Sequence, residues 1–413
     1  LNILFIHQNF PGQFRHLAPA LKAQGHRVMA MAIHAGTEGA TSWGGVRVVT
    51  YTVRGRNTVG LHPWLVDFET KALRAEACWR AAREIKAQGF SPDLIMAHPG
   101  WGEALFLKQV WPQSKLVLYA EYFYRAVGAD LGFDPEFGSE DPDAQACRVQ
   151  LKNLNNLAHL DQAHAAISPT QWQADTFPDT WRQRIRVMHD GIDTDALCPL
   201  PDAQVRLGTL ELSRSDEVIT YVARHLDPYR GIHIFMRALP ALLQLRPHAR
   251  VVIVGRDGSG YGAAAPDGKS WRQIFVEEVK DVIPAQDWAR VHFVGRLGRQ
   301  AFTSLLQVSR VHVYLSYPFV LSWSLLEAMS VGCSIVASNT APVREAITHG
   351  EHGELVDFFD GPGLVNQISC LLDDAKRRER LGSMARQRAV ERYDLKRVCL
   401  PQHLTWINSL SRR

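Results

Sequence analysis

Short apolar runs alternate with amphipathic stretches from one end of the chain to the other. A strand buried on both faces reads as a near-continuous run of apolar and small residues. A helix lying on a sheet shows apolar residues three or four apart. By these criteria the first half carries strands at Ile3–Ile6, Arg27–Ala32, Val46–Tyr51, Leu94–Ala97, Lys115–Tyr119, Ala165–Ile167 and Ile185–Met188, with helices between them. The first of those helices is expected over Phe14–Gln24, stopped by Gly25. The second half repeats the rhythm, with strands at Val218–Ala223, Arg250–Val254, Val291–Val294, Val311–Leu315 and Ser334–Ala337. Its helices are expected at Ile232–Leu245, Leu325–Val331 and around Arg377–Arg392. Such alternation predicts parallel sheets covered by helices. Across His189–Gln204 the pattern lapses into Asp, Gly and Pro, which places a hinge near residues 190–200. The expected organisation is α/β, with two doubly wound domains (residues 1–194 and 195–394) facing one another across a cleft. A last helix over Leu395–Ser411 has a home that periodicity does not fix.

Size agrees with two cores, since 413 residues exceed what one ordinary core holds. With 46% apolar and 21% charged residues the composition is that of a globular protein. No apolar run approaches the roughly 20 residues of a membrane helix. The opening LNILFIH lacks the basic flank and cleavage site of a secretory signal and reads as a buried strand. Six cysteines stand apart with no C-x-x-C pair, against a zinc knuckle or a disulfide framework, and a reducing cytoplasm is the expected setting. The net charge of +4 suits anionic ligands, or peripheral association with the inner face of a negatively charged membrane. Nucleic acid is disfavoured, because no dense basic stripe with interleaved aromatics occurs. No internal repeat emerges.

Candidate chemistry collects where strands end. Glu327 is expected in the first turn of a buried helix, where unpaired helical N–H groups favour an anion or where the carboxylate simply caps. In the first loop, Pro11 and Gly12 separate strand from helix. Gly12 would admit close backbone approach and the helix beginning near Gln13 would offer N–H donors, or the loop is a tight connection serving packing alone; the dinucleotide-binding glycine spacing is missing. Arg224 follows a strand directly and Arg230 comes six residues on, a pair suited to gripping a diphosphate unless Arg224 braces Asp227. His7, His98 and Glu121 fall at or just beyond strand ends and would line one face. Glu121 would need a cation such as Arg125 to stay ionised, and either positions an acceptor hydroxyl or forms a buried pair. The loop with Arg54, Arg56, His62 and Trp64 could read an acceptor or be plain surface. GAAAPDGKS (residues 262–270) has the wrong glycine spacing for a phosphate-binding loop. Asp141/Asp143 and Asp193/Asp195 sit in loops where turn-forming aspartates are common, so metal dependence is not expected.

The order of PGQF, SPTQWQADTF, RVMHDGIDT, VARHLDPYRG, VHFVGRL and LLEAMSVGCSIVASNTAPVREAI resembles the retaining glycosyltransferases of family 4, with their two Rossmann-like domains in the GT-B arrangement. The resemblance covers nearly the whole chain. It implies transfer of a hexose from a nucleotide-diphosphate sugar, UDP-linked in preference to GDP-linked, to an acceptor hydroxyl with retained configuration. No metal or cofactor is implied. The acceptor would be a glycan, a lipid-linked or a small molecule, and the oligomeric state is unspecified. Arg224 and Arg230 match the family's cations on the diphosphate, with Arg in place of the usual Lys, and Glu327 matches the acid on the ribose. Backbone at Arg296 and Leu297 matches the base-reading loop, Leu325 and Leu326 flank the nucleotide near Ser322, and Gly12 with Gln13 closes over phosphate. The last helix usually returns to the first domain. Two departures stand out. Phe319, or Tyr317 if PF is aligned instead, occupies the place of the acid that binds the donor sugar, and the family's His on the strand after His98 is replaced, with Glu121 nearby. Phe319 leaves two alternatives open, a sugar-nucleotide-binding scaffold without turnover or another GT-B enzyme such as an epimerase.

Overall fold

A computed structural model describes residues 1–35, 41–258 and 260–410. The chain forms two compact units. The first comprises Leu1–Val127, Gly138–Gly191 and Lys396–Arg413, and the second Gly128–Phe137 with Ile192–Leu395. Residues 128–137 thus belong to the second unit, although their place in the sequence assigned them to the first.

The first unit is built on an eight-stranded sheet of β1 (Asn2–Ile6), β2 (Arg27–Ala32), β3 (Ser42–Trp43), β4 (Val46–Thr50), β5 (Leu94–Ala97), β6 (Lys115–Tyr119), β7 (Ala165–Ser168) and β8 (Ile185–Val187). The spatial order is β8-β7-β6-β5-β1-β2-β4-β3, and all neighbours are parallel except β3 and β4. Successive side chains point to opposite faces. Ile3, Phe5, Ala30 and Met96 therefore pack with Leu17, Ala18 and Leu21 of α1 (Leu17–Ala23), while Leu4, Ile6, Met31 and Ile95 pack with Cys78, Ala82 and Ile85 of α2 (Val66–Ala87) and Leu160 of α3 (Pro142–Gln162). Full burial on both sides is why these strands read as unbroken apolar runs. The expected Phe14–Gln24 helix is shorter. Gly12–Phe14 form one 3-10 turn and the α-helix begins at Leu17, with Gly25 at φ +87° after its end.

The second unit carries a parallel six-stranded sheet of β9 (Glu217–His225), β10 (Ala249–Arg256), β11 (Val291–Gly295), β12 (Val311–Tyr314), β13 (Ile335–Ser338) and β14 (Glu354–Val356), in the order β11-β10-β9-β12-β13-β14. On one face Tyr221 stacks on Phe235 of α4 (Ile232–Leu245) at 5.2 Å, beside which lies α5 (Trp271–Lys280). On the other lie α6 (Arg299–Val308) and α7 (Trp323–Ser330). Farther along the chain come α8 (Gly361–Asp373), which packs on α4, and α9 (Ala375–Tyr393), which packs on α7. Among the elements that the sequence reading did not place are β3, β14, α5, α6, α8 and an antiparallel hairpin, Gln204–Leu207 with Leu210–Ser213, whose Val205 and Leu212 join the core under α6.

Segment 128–137 is fixed into the second unit by polar and aromatic contacts. Asp134 Oδ2 accepts from Tyr317 Oη at 2.7 Å and from His233 Nε2 at 2.9 Å, and Glu136 is gripped by Arg237 at 2.6 Å. Phe133 meets Tyr317, Phe358 and Phe359, and Phe137 meets His233 and Trp271. The chain's end returns to the first unit. A π-helical turn, Leu395–Cys399, leads into α10 (Leu400–Leu410), whose Trp406 and Ile407 are buried against the α1 side of the sheet. No helix among the described residues is long and apolar enough to cross a membrane.

Candidate active site

In each unit the strand order reverses beside its first strand, between β1 and β5 in the first and between β9 and β12 in the second. Open parallel sheets bind ligands beyond the carboxyl ends of strands at such a reversal. The candidate residues leave the sheets at those two places.

In the second unit, β9 ends in a bulge between Val222 and His225, and Arg224 lies within it. A bulge re-aims the side chain it carries. Arg224 is exposed, and among the described residues its guanidinium enters no hydrogen bond or ion pair, so it does not brace Asp227. Asp227 is instead turned inward, 2% exposed, and burial pushes its carboxyl above the usual range despite the charge of Arg230. Arg230 ends a 3-10 turn, Pro228–Arg230, and is 7% exposed. Its Nη1 donates to Ser316 Oγ at 2.8 Å and Tyr314 Oη at 3.3 Å, and its Nη2 to the Val320 carbonyl at 3.1 Å. One cation thereby ties the loop after β9 to the loop after β12. Gly231 follows at φ +70°, where a Cβ would lie 2.5 Å from Leu315 Cβ, so neither conformation nor space admits another residue.

Glu327 is the fifth residue of α7. The helix starts at Trp323, two residues before the expected Leu325, because Ser322 caps it, its side chain accepting from the Ser324 N–H. Glu327 therefore lies in the second turn rather than the first. Its carboxylate accepts from Arg299 Nη1 at 2.6 Å. Arg299 opens α6 directly after the loop that holds exposed Arg296 and half-buried Leu297, so this ion pair joins Glu327 to that loop. Leu325 and Leu326 are fully buried in the core. Phe319 is 3% exposed and packs edge-on against Tyr229 at 5.3 Å.

In the first unit His7 follows β1, His98 follows β5 and Glu121 follows β6. His7 Nδ1 accepts from the Asn9 N–H, which leaves the Nε2 proton to donate to Gln13 Oε1 at 2.7 Å. Gln13 Nε2 in turn donates to Glu121 Oε1 at 2.9 Å. His98 Nδ1 accepts from the Gly100 N–H, so its Nε2 proton faces Glu121 Oε2 at 3.2 Å. Backbone donors thus set both imidazole tautomers, and both side-chain chains end on one carboxylate. Burial and neighbouring His98 push the His7 pKa down to about 4, so it is neutral. Burial alone would raise the Glu121 carboxyl. The interaction with His98 and the hydrogen bonds from His98 and Gln13 outweigh it and hold the group below the usual range. Arg125 is not its partner, since its guanidinium binds the Asp175 and Thr176 carbonyls. Gly12, at φ +47°, lies so close to His7 that a Cβ would come within 2.2 Å of the ring.

Residue placement also settles several lesser candidates. Asp141 caps α3 through the Ala144 N–H, and Asp193 accepts from the Ala196 N–H. Asp134, Glu136 and His233 bring ligand-type atoms within 4.8 Å of one another, but the hydrogen bonds already given to Tyr317, His233 and Arg237 account for them as structure. Trp64 packs under Arg148, 5.8 Å from its ring centroid, on the surface of the first unit.

Residues 24–197 match the model described as the glycosyl transferase family 4 group, and residues 210–388 match that of the glycosyl transferases group 1. The chain is a family 4, group 1 glycosyltransferase. Among curated proteins it is 27% identical over 258 residues to a D-inositol 3-phosphate glycosyltransferase of Corynebacterium efficiens, covering 60% of this chain and 57% of that one. It is 25% identical over 183 residues to a phosphatidyl-myo-inositol mannosyltransferase of Mycolicibacterium smegmatis, covering 44% and 42%. The chain spans about half the length of the curated relatives it matches. A sucrose-phosphate synthase from Thermosynechococcus elongatus shares the fold with a TM-score of 0.75 at 19% identity, over 100% of both chains. Anabaena HepE, crystallised with UDP and glucose, does so with a TM-score of 0.69 at 19% identity, over 99% of this chain and 100% of that one. The fold is GT-B.

Within this glycosyltransferase the structure brings together Arg230, Ser322 and the Phe319 loop in the second unit, and Gly12, Gln13, His98 and Glu121 in the first. Sequence reasoning missed two groups. Arg299 was hidden because its partner lies 28 residues away, and Ser316 because nothing in a lone serine announces a buried acceptor for arginine. His7 was placed at a strand end, but the run from His7 through Gln13 to Glu121 depends on a contact between residues 108 apart in sequence.

Proposed function

We propose that the protein transfers a hexose from a nucleotide-diphosphate sugar, UDP-linked in preference to GDP-linked, to an acceptor hydroxyl with retention of configuration and without a metal. The observation that carries the reading is the pair of guanidinium groups at the strand-order reversal of the second unit. Arg230 is locked in place, and Arg224 is exposed and unengaged. A leaving diphosphate gains charge as its bond to the sugar breaks, and preorganised cations there lower the barrier. Arg230 is held by neutral oxygens rather than by a carboxylate, so its charge is left for a ligand. Glu327, fixed by Arg299 beside the loop of Arg296 and Leu297, suits a ribose hydroxyl and the base. Preference for UDP is supported by the UDP and UDP-glucose complexes of HepE.

In this reading the departing phosphate oxygen takes the acceptor proton, so no strong protein base is needed. Glu121 is then an acceptor-positioning group, its carboxylate kept ionised and oriented by Gln13 and His98, with 27% of its side chain still exposed. Metal independence is supported by the commitment of Asp141 and Asp193 to backbone N–H groups. The acceptor is a glycan, a lipid-linked or a small-molecule hydroxyl, and the setting is the cytoplasm or the inner membrane surface.

Thermal unfolding measured with UDP, GDP, ADP and dTDP tests the donor class. A ligand at 100 times its Kd stabilises by about 2.7 kcal/mol, so UDP is expected to raise the midpoint most. A protein indifferent to all four is no nucleotide-sugar enzyme. Retention is read from the anomeric coupling of the product by NMR, where an inverted linkage refutes that part.

A further inference from the structure

The turn after β10 has no role in the reading above, yet it is pressed against the candidate cation. A Cβ on Gly260 would lie 1.8 Å from Asp227 Oδ2, and one on Gly262 would lie 2.9 Å from the ring of Tyr229. Only glycine permits so close an approach at either place. Between them Tyr261 is laid over Arg230, with the guanidinium carbon 5.6 Å from its ring centroid, and against Phe319, with centroids 4.8 Å apart. Both separations are those of favourable cation–π and aromatic contacts.

Exposure decides which of these groups a ligand would meet. Tyr261 is 45% exposed, whereas Phe319 is 3%, Arg230 7% and Asp227 2% exposed. Tyr261 is therefore the exposed member of the group, lying over Arg230 and against the buried Phe319. Asp227, the one carboxylate among these neighbours, is turned away, and its Oδ2 is covered by Gly260. The exposed wall that Tyr261 adds beside the cation is thus an aromatic face with a phenolic hydroxyl and no carboxylate.

We propose that Tyr261 is the residue that contacts the donor sugar, its ring covering the C–H face of the hexose and its hydroxyl supplying a single neutral hydrogen bond. This deepens the donor reading and rests on it. A carboxylate in that position would accept from two sugar hydroxyls, and removing either hydroxyl would leave an anion unpaired. A phenol can rotate to water instead, so the site is expected to tolerate donors lacking one hydroxyl.

Calorimetric titration of the full chain with UDP and UDP-glucose, and with GDP and GDP-mannose, separates the two readings. For whichever pair the wild type binds, Tyr261→Ala is expected to weaken the sugar conjugate roughly tenfold and to leave the bare nucleotide within about twofold, with Tyr261→Phe falling between. Equal affinities of Tyr261→Ala and wild type for the conjugate overturn the proposal. So does an equal loss for nucleotide and conjugate, because that would place Tyr261 on the phosphates. A wild type that binds no nucleotide at all overturns the donor reading and this inference with it.

Discussion

Arg224 and Arg230 leave the same strand end with different obligations. Arg230 has three acceptors inside the unit, so its removal would strip the loop after β12 of its anchor as well as any ligand of a cation. Arg224 holds nothing in place and is the cleaner probe. For Arg224→Ala, stability is expected to change by less than about 0.5 kcal/mol, as for other open surface positions. Glu327 was legible as an acid on a buried helix at the edge of a sheet. Its ion pair with Arg299 was not, because a contact between two helices leaves no local pattern in the sequence. The same limit applies to Glu121. Its need for a partner followed from its apolar setting, but the partners turned out to be Gln13 and His98 rather than Arg125.

At the scale of elements, the strands of both sheets other than β3 and β14 were readable to within a residue or two at most ends, since burial on both faces forces an unbroken apolar run. The hairpin over 204–213 escaped notice because it is short, half-polar and set in the Pro- and Asp-rich stretch that signals a hinge. Segment 128–137 escaped for another reason. Its anchors, Tyr317, His233 and Arg237, lie about 100 or more residues downstream. Asp134→Ala would strand the Tyr317 hydroxyl and the His233 ring without an acceptor, and chemical denaturation is expected to show a loss of about 3 kcal/mol. The effect carries a pH signature. Burial would raise the Asp134 carboxyl, but the hydrogen bonds from His233 and Tyr317 win and lower it. Its contribution is therefore complete above the unfolded carboxylate pKa of about 3.8 and is lost as pH falls toward the lower folded value. Ser322→Ala tests the start of α7. Loss of a cap of this kind costs about 1 kcal/mol, and the variant is expected to weaken nucleotide binding if Glu327 touches it.

Among the described residues, burial most strongly lowers His7 and His159, to pKa values of about 4, and His189 and His312, to about 3. Unfolding returns each to about 6.5, so the unfolded chain binds protons that the native one refuses, and stability falls as pH drops below about 6.5. The thermal midpoint is expected to decline steeply from pH 6.5 to 4.5. Replacing His312, whose Nδ1 pairs with Thr220 Oγ1 at 2.9 Å while its buried Nε2 has no partner, by Leu should flatten that slope by close to one proton. An unchanged slope would mean that His312 titrates normally in the folded state. The two α/β units could be read from the repeated strand–helix rhythm, whereas the assignment of residues 128–137 to the second unit needed three dimensions.

The proposed function rests on the cations after β9 binding the departing diphosphate. Steady-state transfer from UDP-glucose by Arg224→Ala tests it most directly. The account predicts a fall in kcat/KM of about 10²- to 10³-fold with the unfolding midpoint unchanged. Transfer at the wild-type rate across all donor concentrations would contradict it.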